Sequence, residues 1–420
     1  MKWFALADCN NFYVSCERIF NLSLQNVPVV VLSNNDGCII SRSQEAKDLG
    51  IKMGVPVFEI KHLIKQHNIQ VYSSNYALYG DISARVMNSL RELAPEVEVY
   101  SIDESFLDLS IIPAPELEPL CVTIKKKVAK WTKIPICIGV AQTKTLAKLA
   151  NKLAKKDKSG NGVFILTEEN RPEILSKFDI EDIWGIGRQH AKMLKKLGIN
   201  NALQLSQMSD DLVKRQMSVT GLRLVKELRG EACIPILQER SMSKGICCSR
   251  SFGRALTTFS SLSEAVATFA HRCSEKLRRQ NSCANIITVF IRTSPFNKSK
   301  IQYSNSRTIT FSVPSNSSQE IIKYAITALK MIYKDGIEYK KAGVIVTNII
   351  PDTQQQIGIF DNEDRVKHTV VSSLIDKLNS KYGKGTINFA IQGTGNNWRP
   401  NTNNLSPKYT TRWDEIPKIE

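Results

Sequence analysis

In the stretch VEVYSIDESFLDLS, residues 97–110, Asp103 and Glu104 stand side by side among residues with the β-branched and aromatic character of a strand facing a core. Unpaired carboxylates there would cost several kcal/mol to desolvate, so they pair with a cation or take up a proton. A divalent metal ion is the strongest remedy. Neighbouring strand residues point to opposite faces, so both acids can serve one site only where the backbone turns, as in a tight hairpin. For such a pair taken alone, a solvated turn between two edge strands is the alternative. A third acid, Asp8, ends the first apolar run, in FALADCNNFY. Asp8, Asp103 and Glu104 together offer hard oxygen ligands from the ends of two strands. That set suits Mg²⁺, and the carbonyl of Cys9 can add a further oxygen. Two such ions, about 3.5–4 Å apart, would clamp the attacking and leaving oxygens of an in-line phosphoryl displacement.

The elements that must position these acids alternate along the first part of the chain. A strand at WFALADCNNFY, a helix at NNFYVSCERIF and a strand at VPVVVLSN are followed by a short helix around SQEAKDLG and a strand at IQVYSSN. The helix YALYGDISARVMNSLRELA then leads into the acidic hairpin. Next come the helix PLCVTIKKKVAKWT, the strand PICIGVAQ, a lysine-rich helix and the strand NGVFIL. Interleaved strands and helices with hairpins among them predict an α/β layer of sheet and helices. From about Arg171 short helices take over. After a boundary near EACIPILQERSMSKG, the order helix, strand, strand, helix, strand predicts a compact α+β domain. Beyond Pro351 the chain is rich in Asn, Gln, Thr, Lys and Gly. Apart from a helix at RVKHTVVSSLIDKLNSKYG, it reads as a partly extended tail that needs a partner to order.

A length of 420 residues suggests roughly two to four domains. No apolar run is long enough to span a membrane, and the N-terminus lacks the features of a signal peptide. Ten scattered cysteines without a Cys-x-x-Cys pair read as reduced thiols of a cytoplasmic protein, with neither a disulfide frame nor a zinc site. The net charge of +17 favours a polyanionic partner, most often nucleic acid. Between Lys244 and Lys300 ten basic residues face two acids. Residues 144–158 hold six lysines and one Asp, a run that a solvated helix face would explain equally well.

The segments DCNNFYVSCE, VVVLSNNDGCIISRS, EAKDLGIKMGVP, YSIDESFLDL and GVAQTKTLAKLANKLAK, in that order, resemble the Y-family translesion DNA polymerases, and among them the UmuC-type catalytic subunit of bacterial DNA polymerase V. The resemblance runs from the first residues to at least Pro351. It implies a right-hand-like polymerase, α/β and α+β multidomain, with a palm (1–30 and 74–170), small fingers (31–73), a helical thumb (171–235), an α+β little-finger domain (242–350) and a partner-binding tail (351–420). A small fingers domain would press weakly on the nascent pair and so tolerate damaged template at the expense of fidelity; the resemblance further implies error-prone translesion synthesis in the SOS response.

Residue by residue, the resemblance implies that Asp8, Asp103 and Glu104 hold two Mg²⁺ ions, and that Tyr13 is a steric gate whose ring collides with a 2′-hydroxyl. Asn11 and Phe12 would offer helix N-terminal amides to phosphate. Ser41 and Lys47, with Arg42 nearby, and Lys155 would face the triphosphate of a deoxynucleotide. Here the chain departs from the family: Gln44 replaces the usual Tyr, and Lys47 replaces an Arg whose bidentate fork lysine lacks. Lys156 is a second candidate for the role of Lys155. Gly185 and Gly187, with Arg188 following, resemble a helix-hairpin-helix that lets backbone amides approach a primer–template phosphate. Gln356, Ile359 and Phe360, in QQQIGIF, fit the peptide pattern that binds the bacterial sliding clamp. The further partners implied are a UmuD′-type accessory protein dimer, engaging the tail around Trp398 and Trp413, and a RecA filament. Two other classes stay open on the residues alone: a DNA-damage scaffold with an inactive palm, and a metal-dependent nuclease or nucleotidyl cyclase.

Overall fold

The computed structural model describes residues 2–157, 161–238, 242–297, 299–356, 363–394, 398 and 401–417. They form two compact units: residues 1–33, 37–240 and 404–420 in the first, residues 34–36 and 241–403 in the second.

The first unit starts with β1 (Phe4–Cys9), α1 (Phe12–Phe20), β2 (Val29–Leu32), β3 (Ile39–Arg42), α2 (Gln44–Asp48), α3 (Lys61–Gln66), β4 (Gln70–Ser73) and α4 (Tyr76–Leu93). It continues with β5 (Glu96–Val99), β6 (Glu104–Asp108), α5 (Leu117–Thr132), β7 (Ile136–Ala141), α6 (Lys144–Lys156) and β8 (Val163–Ile165). Four more helices follow: α7 (Arg171–Lys177), α8 (Arg188–Lys196), α9 (Ala202–Ser206) and α10 (Asp210–Leu228). Every residue of β1 is buried, as suits a central strand covered on both faces. The main sheet runs β5-β6-β1-β7-β8, antiparallel except for the β7–β8 pair. Alternation along β1 sends Ala5 and Ala7 into a core with α4 and α5, and Leu6 into a core with α6 and the later helices. The helices beyond Arg171 therefore share one apolar layer with α6. A separate small sheet, β3-β2-β4, closes over its own core of Val30, Leu32, Ile39, Ala46, Ile51, Ile60 and Ile69.

Close approach of α6 to the sheet depends on Gly139 in β7. A Cβ there would stand 2.0 Å from the backbone nitrogen of Asn151, which cannot yield as a side chain tip would. Gly139→Ala is expected to cost about 3 kcal/mol of stability, read from the midpoint of urea unfolding, because the whole helix must move. The start of α6 is also fastened. Thr143 caps it, and the fully buried Glu227 of α10 accepts from Thr145 N at 3.0 Å, placing a carboxylate at the positive end of the helix.

The second unit holds β9 (Gly245–Leu256), α11 (Phe259–Arg279), β10 (Ser282–Arg292), β11 (Ser304–Ser315), α12 (Ser318–Ile332), β12 (Tyr339–Pro351) and α13 (Arg365–Tyr382). Its sheet, β11-β10-β12-β9, is antiparallel throughout and packs against α11 and α12. The strand β9 is absent from the sequence reading. It lies at a sheet edge, and its run of Gly, Ser and Arg shows little apolar alternation. The region after Pro351 also differs from a tail awaiting a partner. Arg278 holds Asp376 of α13 through two hydrogen bonds of 2.7 and 2.8 Å, Trp398 is buried edge-on to Phe269, and residues 404–409 lie on the first unit. Trp413 is 92 % exposed. Among the described residues all ten cysteines are free, and no helix is long and apolar enough to cross a membrane.

Candidate active site

The turn between β5 and β6 does for the acids what strand geometry alone forbids. Tyr100 N and Ser101 N both donate to Glu104 O, and Ser101 Oγ accepts from the amides of Asp103 and Glu104 at 3.2 and 3.0 Å. The hydroxyl of Ser101 in turn donates to Asp103 Oδ1 at 2.6 Å. Glu104 opens β6 directly opposite Asp8 in the register, and Cys9 N donates to Asp103 O at 2.9 Å. The end of β1, the start of β6 and the turn from β5 into β6 therefore bring Asp8, Asp103, Glu104 and the backbone of Cys9 to one edge of the sheet.

Two lysines of α6 enter this cluster. Lys155 Nζ lies 2.6 Å from Asp8, and Lys148 Nζ lies 2.9 Å from Glu104. Each turn of the helix repeats the pattern, since Lys144 pairs with Glu98 and Lys152 with Asp182. Lys144, Lys148, Lys152 and Lys155 accordingly form a ladder of ion pairs inside the first unit rather than a plain solvated face. Among the described residues no three acidic, His or Cys groups already stand as a ready metal shell. The acids nonetheless act on one another. Burial pushes the Asp8 carboxyl up to about 6, the neighbouring Glu104 and Asp103 add to the rise, and Lys155 opposes it. Crowded hard oxygens of this kind fit a divalent cation.

A consequence for stability follows. The folded-state value of Asp8 lies above its ordinary 3.8, so protonation favours the fold. That contribution is complete below about pH 4 and is lost as pH rises through about 6. With chelator present, Asp8→Asn should flatten the fall in stability between pH 4 and pH 8 by about 2–3 kcal/mol, measured by urea unfolding at each pH.

Around the acids stand the other predicted residues. Asn11, in left-handed backbone (φ 48°), precedes α1 without a side-chain cap, which leaves first-turn amides open, while Phe12 is buried. Tyr13 stacks on Tyr79 at 4.4 Å, and Asp103 adds to the burial that raises its hydroxyl. Burial, and then the charges of Arg42 and Lys155, push the Lys47 ammonium down, so these three cations form one cluster. The Nε of Arg42 has no hydrogen-bond partner among the described residues. Ser41 is buried and lies on the other face of β3 from Arg42. It is Lys155, and not Lys156, that reaches Asp8.

Farther along the chain, Gly185 (φ 86°) makes the turn and Gly187 precedes α8, beside a concavity of about 890 Å³ lined by Arg188, Lys192, Lys195 and Lys196. A Cβ on Gly187 would meet nothing within 4 Å, so its backbone is open to a ligand. In the second unit a cleft of about 1300 Å³ is lined by Arg250, Arg272, Lys276, Arg279 and Lys384. Gln356 is described; Ile359 and Phe360 lie outside the described residues. Ser101, Lys148 and Tyr79 escaped the sequence reading. Lys148 had a signal in the four-residue spacing of the α6 lysines, whereas Ser101 and Tyr79 had none that separates them from ordinary turn and helix residues.

The impB/mucB/samB family matches residues 7–152, its C-terminal domain matches residues 243–359, and a domain of unknown function matches residues 371–419. The chain is 41 % identical to the protein UmuC of Salmonella typhimurium, over 99 % of this chain and 100 % of that one. It is 42 % identical to ImpB of Salmonella typhimurium over 99 % of each chain. A Y-family DNA polymerase chimera shares the fold, with a TM-score of 0.68 at 22 % identity, covering 83 % of this chain and 99 % of that one. Full-length identity of this extent, together with the paired-strand acids, makes the chain a member of the impB/mucB/samB family, the UmuC-type Y-family DNA polymerases.

Proposed function

We propose that the protein is an error-prone, template-directed DNA polymerase of the SOS response, which performs translesion synthesis by two-metal nucleotidyl transfer to a primer 3′-hydroxyl. The observation that carries this reading is the register that sets Asp8 against Glu104 with Asp103 at the adjoining turn. Polymerases of this family are divalent-metal dependent. Asp8, Asp103, Glu104 and the carbonyl of Cys9 would hold two Mg²⁺ ions. When bound, such ions neutralise phosphate charge and lower the pKa of the attacking hydroxyl. The chain's own residues do the rest by position. Arg42, Lys47 and Lys155 form a cationic seat for the triphosphate, to which the amides of Asn11 and Phe12 contribute. Lys155 stands where either Asp8 or a phosphate can take its charge. Tyr13 lies under the sugar and excludes a 2′-hydroxyl. Positioning and charge complementarity of this kind supply most of the catalysis of phosphoryl transfer.

Gly185, Gly187 and Arg188 grip the primer–template backbone, and the basic cleft of the second unit adds a salt-sensitive, sequence-independent hold. We assign Gln356, Ile359 and Phe360 to the sliding clamp. The exposed stripe of Val366, Val370, Val371 and Leu374 on α13 suits a UmuD′-type accessory dimer. A RecA filament is the remaining partner, and the site of action is the cytoplasm. The test is primer extension on damaged template by the full chain with Mg²⁺ and deoxynucleotides, with and without clamp and accessory protein. Synthesis past the lesion is expected. Its absence under every combination, on undamaged template as well, would overturn the reading.

A further inference from the structure

We infer that Ser406, through a buried relay, sets how strictly the sugar of the incoming nucleotide is selected; this deepens the polymerase reading and rests on Tyr13 as the ring beneath the sugar. Tyr13 and Glu17 lie one turn apart on α1, and Tyr79 of α4 packs against both. The rings of Tyr13 and Tyr79 are 4.4 Å apart and within 14° of parallel, with Tyr76 edge-on to Tyr13 at 6.2 Å. The hydroxyl of Tyr79, a fully buried residue, donates to Glu17 Oε1 at 2.6 Å. The same oxygen accepts from Ser406 Oγ at 3.1 Å. Glu17 is 1 % exposed, and among the described residues no cation lies within ion-pair distance of it. Burial pushes its carboxyl up, and the two hydroxyl donors pull it back.

Ser406 is itself held in place. Asn75, which caps α4 through Leu78 N, donates to Ser406 Oγ at 3.0 Å and to Pro407 O at 3.2 Å. On one side Asn404 exchanges hydrogen bonds of 2.8 and 3.0 Å with Ser73; on the other Tyr409 stacks on Phe20 at 4.6 Å. Residues 404–409 therefore clip α1 to α4 directly behind the ring that meets the sugar. Loss of the Ser406 hydroxyl removes one of two donors from a desolvated carboxylate, which must then take up a proton or turn toward water. Tyr79 loses its anchor, and the platform behind Tyr13 loosens. Steric rejection of one oxygen atom depends on sub-ångström placement of that ring. Incorporation of a deoxynucleotide, which does not press on it, depends less on that placement.

The experiment is single-nucleotide incorporation by the full chain on primer–template with Mg²⁺, comparing kcat/KM for each ribonucleotide and its deoxy counterpart. Ser406→Ala and Tyr79→Phe are expected to raise the ribo-to-deoxy ratio roughly ten-fold. In Ser406→Ala the deoxy value should stay within about two-fold of wild type, and Ser406→Thr, which keeps the hydroxyl, should retain the wild-type ratio. Tyr13→Ala reports on the underlying assignment. If it admits ribonucleotides while Ser406→Ala and Tyr79→Phe leave the ratio unchanged, the relay is wrong and the polymerase reading stands. If Tyr13→Ala leaves selectivity intact, the gate assignment fails and the inference falls with it. Equal losses for both sugars in Ser406→Ala, unrelieved in Ser406→Thr, would reduce Ser406 to a packing residue and overturn the inference.

Discussion

Replacing Asp103 with alanine is expected to lower primer extension by about a thousand-fold or more, with stability within about 1 kcal/mol of wild type. The two effects separate because Asp103 occupies a turn. Its backbone amide bonds to Ser101 Oγ and its carbonyl accepts from Cys9 N, and both interactions survive removal of the side chain. What alanine removes is one of the three carboxylates proposed to hold the metal ions, a charge that lies near enough to Asp8 to raise it. The remaining pair, Asp8 and Glu104, already have lysine partners and cannot supply the missing charge. Extension is read on primed template with Mg²⁺, and folding by thermal melt. Unchanged extension with an unchanged melt would show that Asp103 has no part in the chemistry.

The largest stability effect belongs to a residue outside the chemistry. Lys144 is 1 % exposed at its side chain and bonds to Glu98, a buried acid of β5, and to Pro235 O at 2.7 Å. Glu98 also accepts from Leu237 N at 2.7 Å. Glu98→Ala leaves a buried ammonium and an amide without their acceptor, at an expected cost of about 3–5 kcal/mol. In a unit of this size that lowers Tm by roughly 10 °C. The pair matters less than its disruption, since two apolar residues of similar volume can replace a buried ion pair at little cost. The double variant Glu98→Met, Lys144→Met should therefore recover most of the loss. Urea unfolding of both proteins decides the matter, and a cost below about 1 kcal/mol for Glu98→Ala would show that water reaches the lysine.

Much of the architecture was legible because burial leaves a periodic trace. The apolar run of β1, the hairpin around Asp103 and the long helices α4, α5 and α11 all carry it. Edge strands and paired polar groups do not. The strand β9 lies at a sheet edge and buries only four of its twelve residues, so its composition looks like a loop, and Trp398 looked like part of a polar tail because its partners, Phe269 among them, lie over a hundred residues away. The lysines of α6 misled in another way. Composition counts charges without regard to partners, and Glu98, Glu104, Asp182 and Asp8 meet them only after the sheet and helices have packed.

By itself the sequence determined which chemistry was within reach, since acids in apolar strand ends and an aromatic five residues after Asp8 are matters of residue type and local spacing. Only the tertiary structure decided who stands beside whom. Strand register put Glu104 against Asp8, helix packing brought Lys155 and Lys148 to them, and the returning segment placed Ser406 on Glu17. Such pairings join residues dozens to hundreds of positions apart. Their free energies exist only once water has been excluded between them, and no local pattern encodes that exclusion.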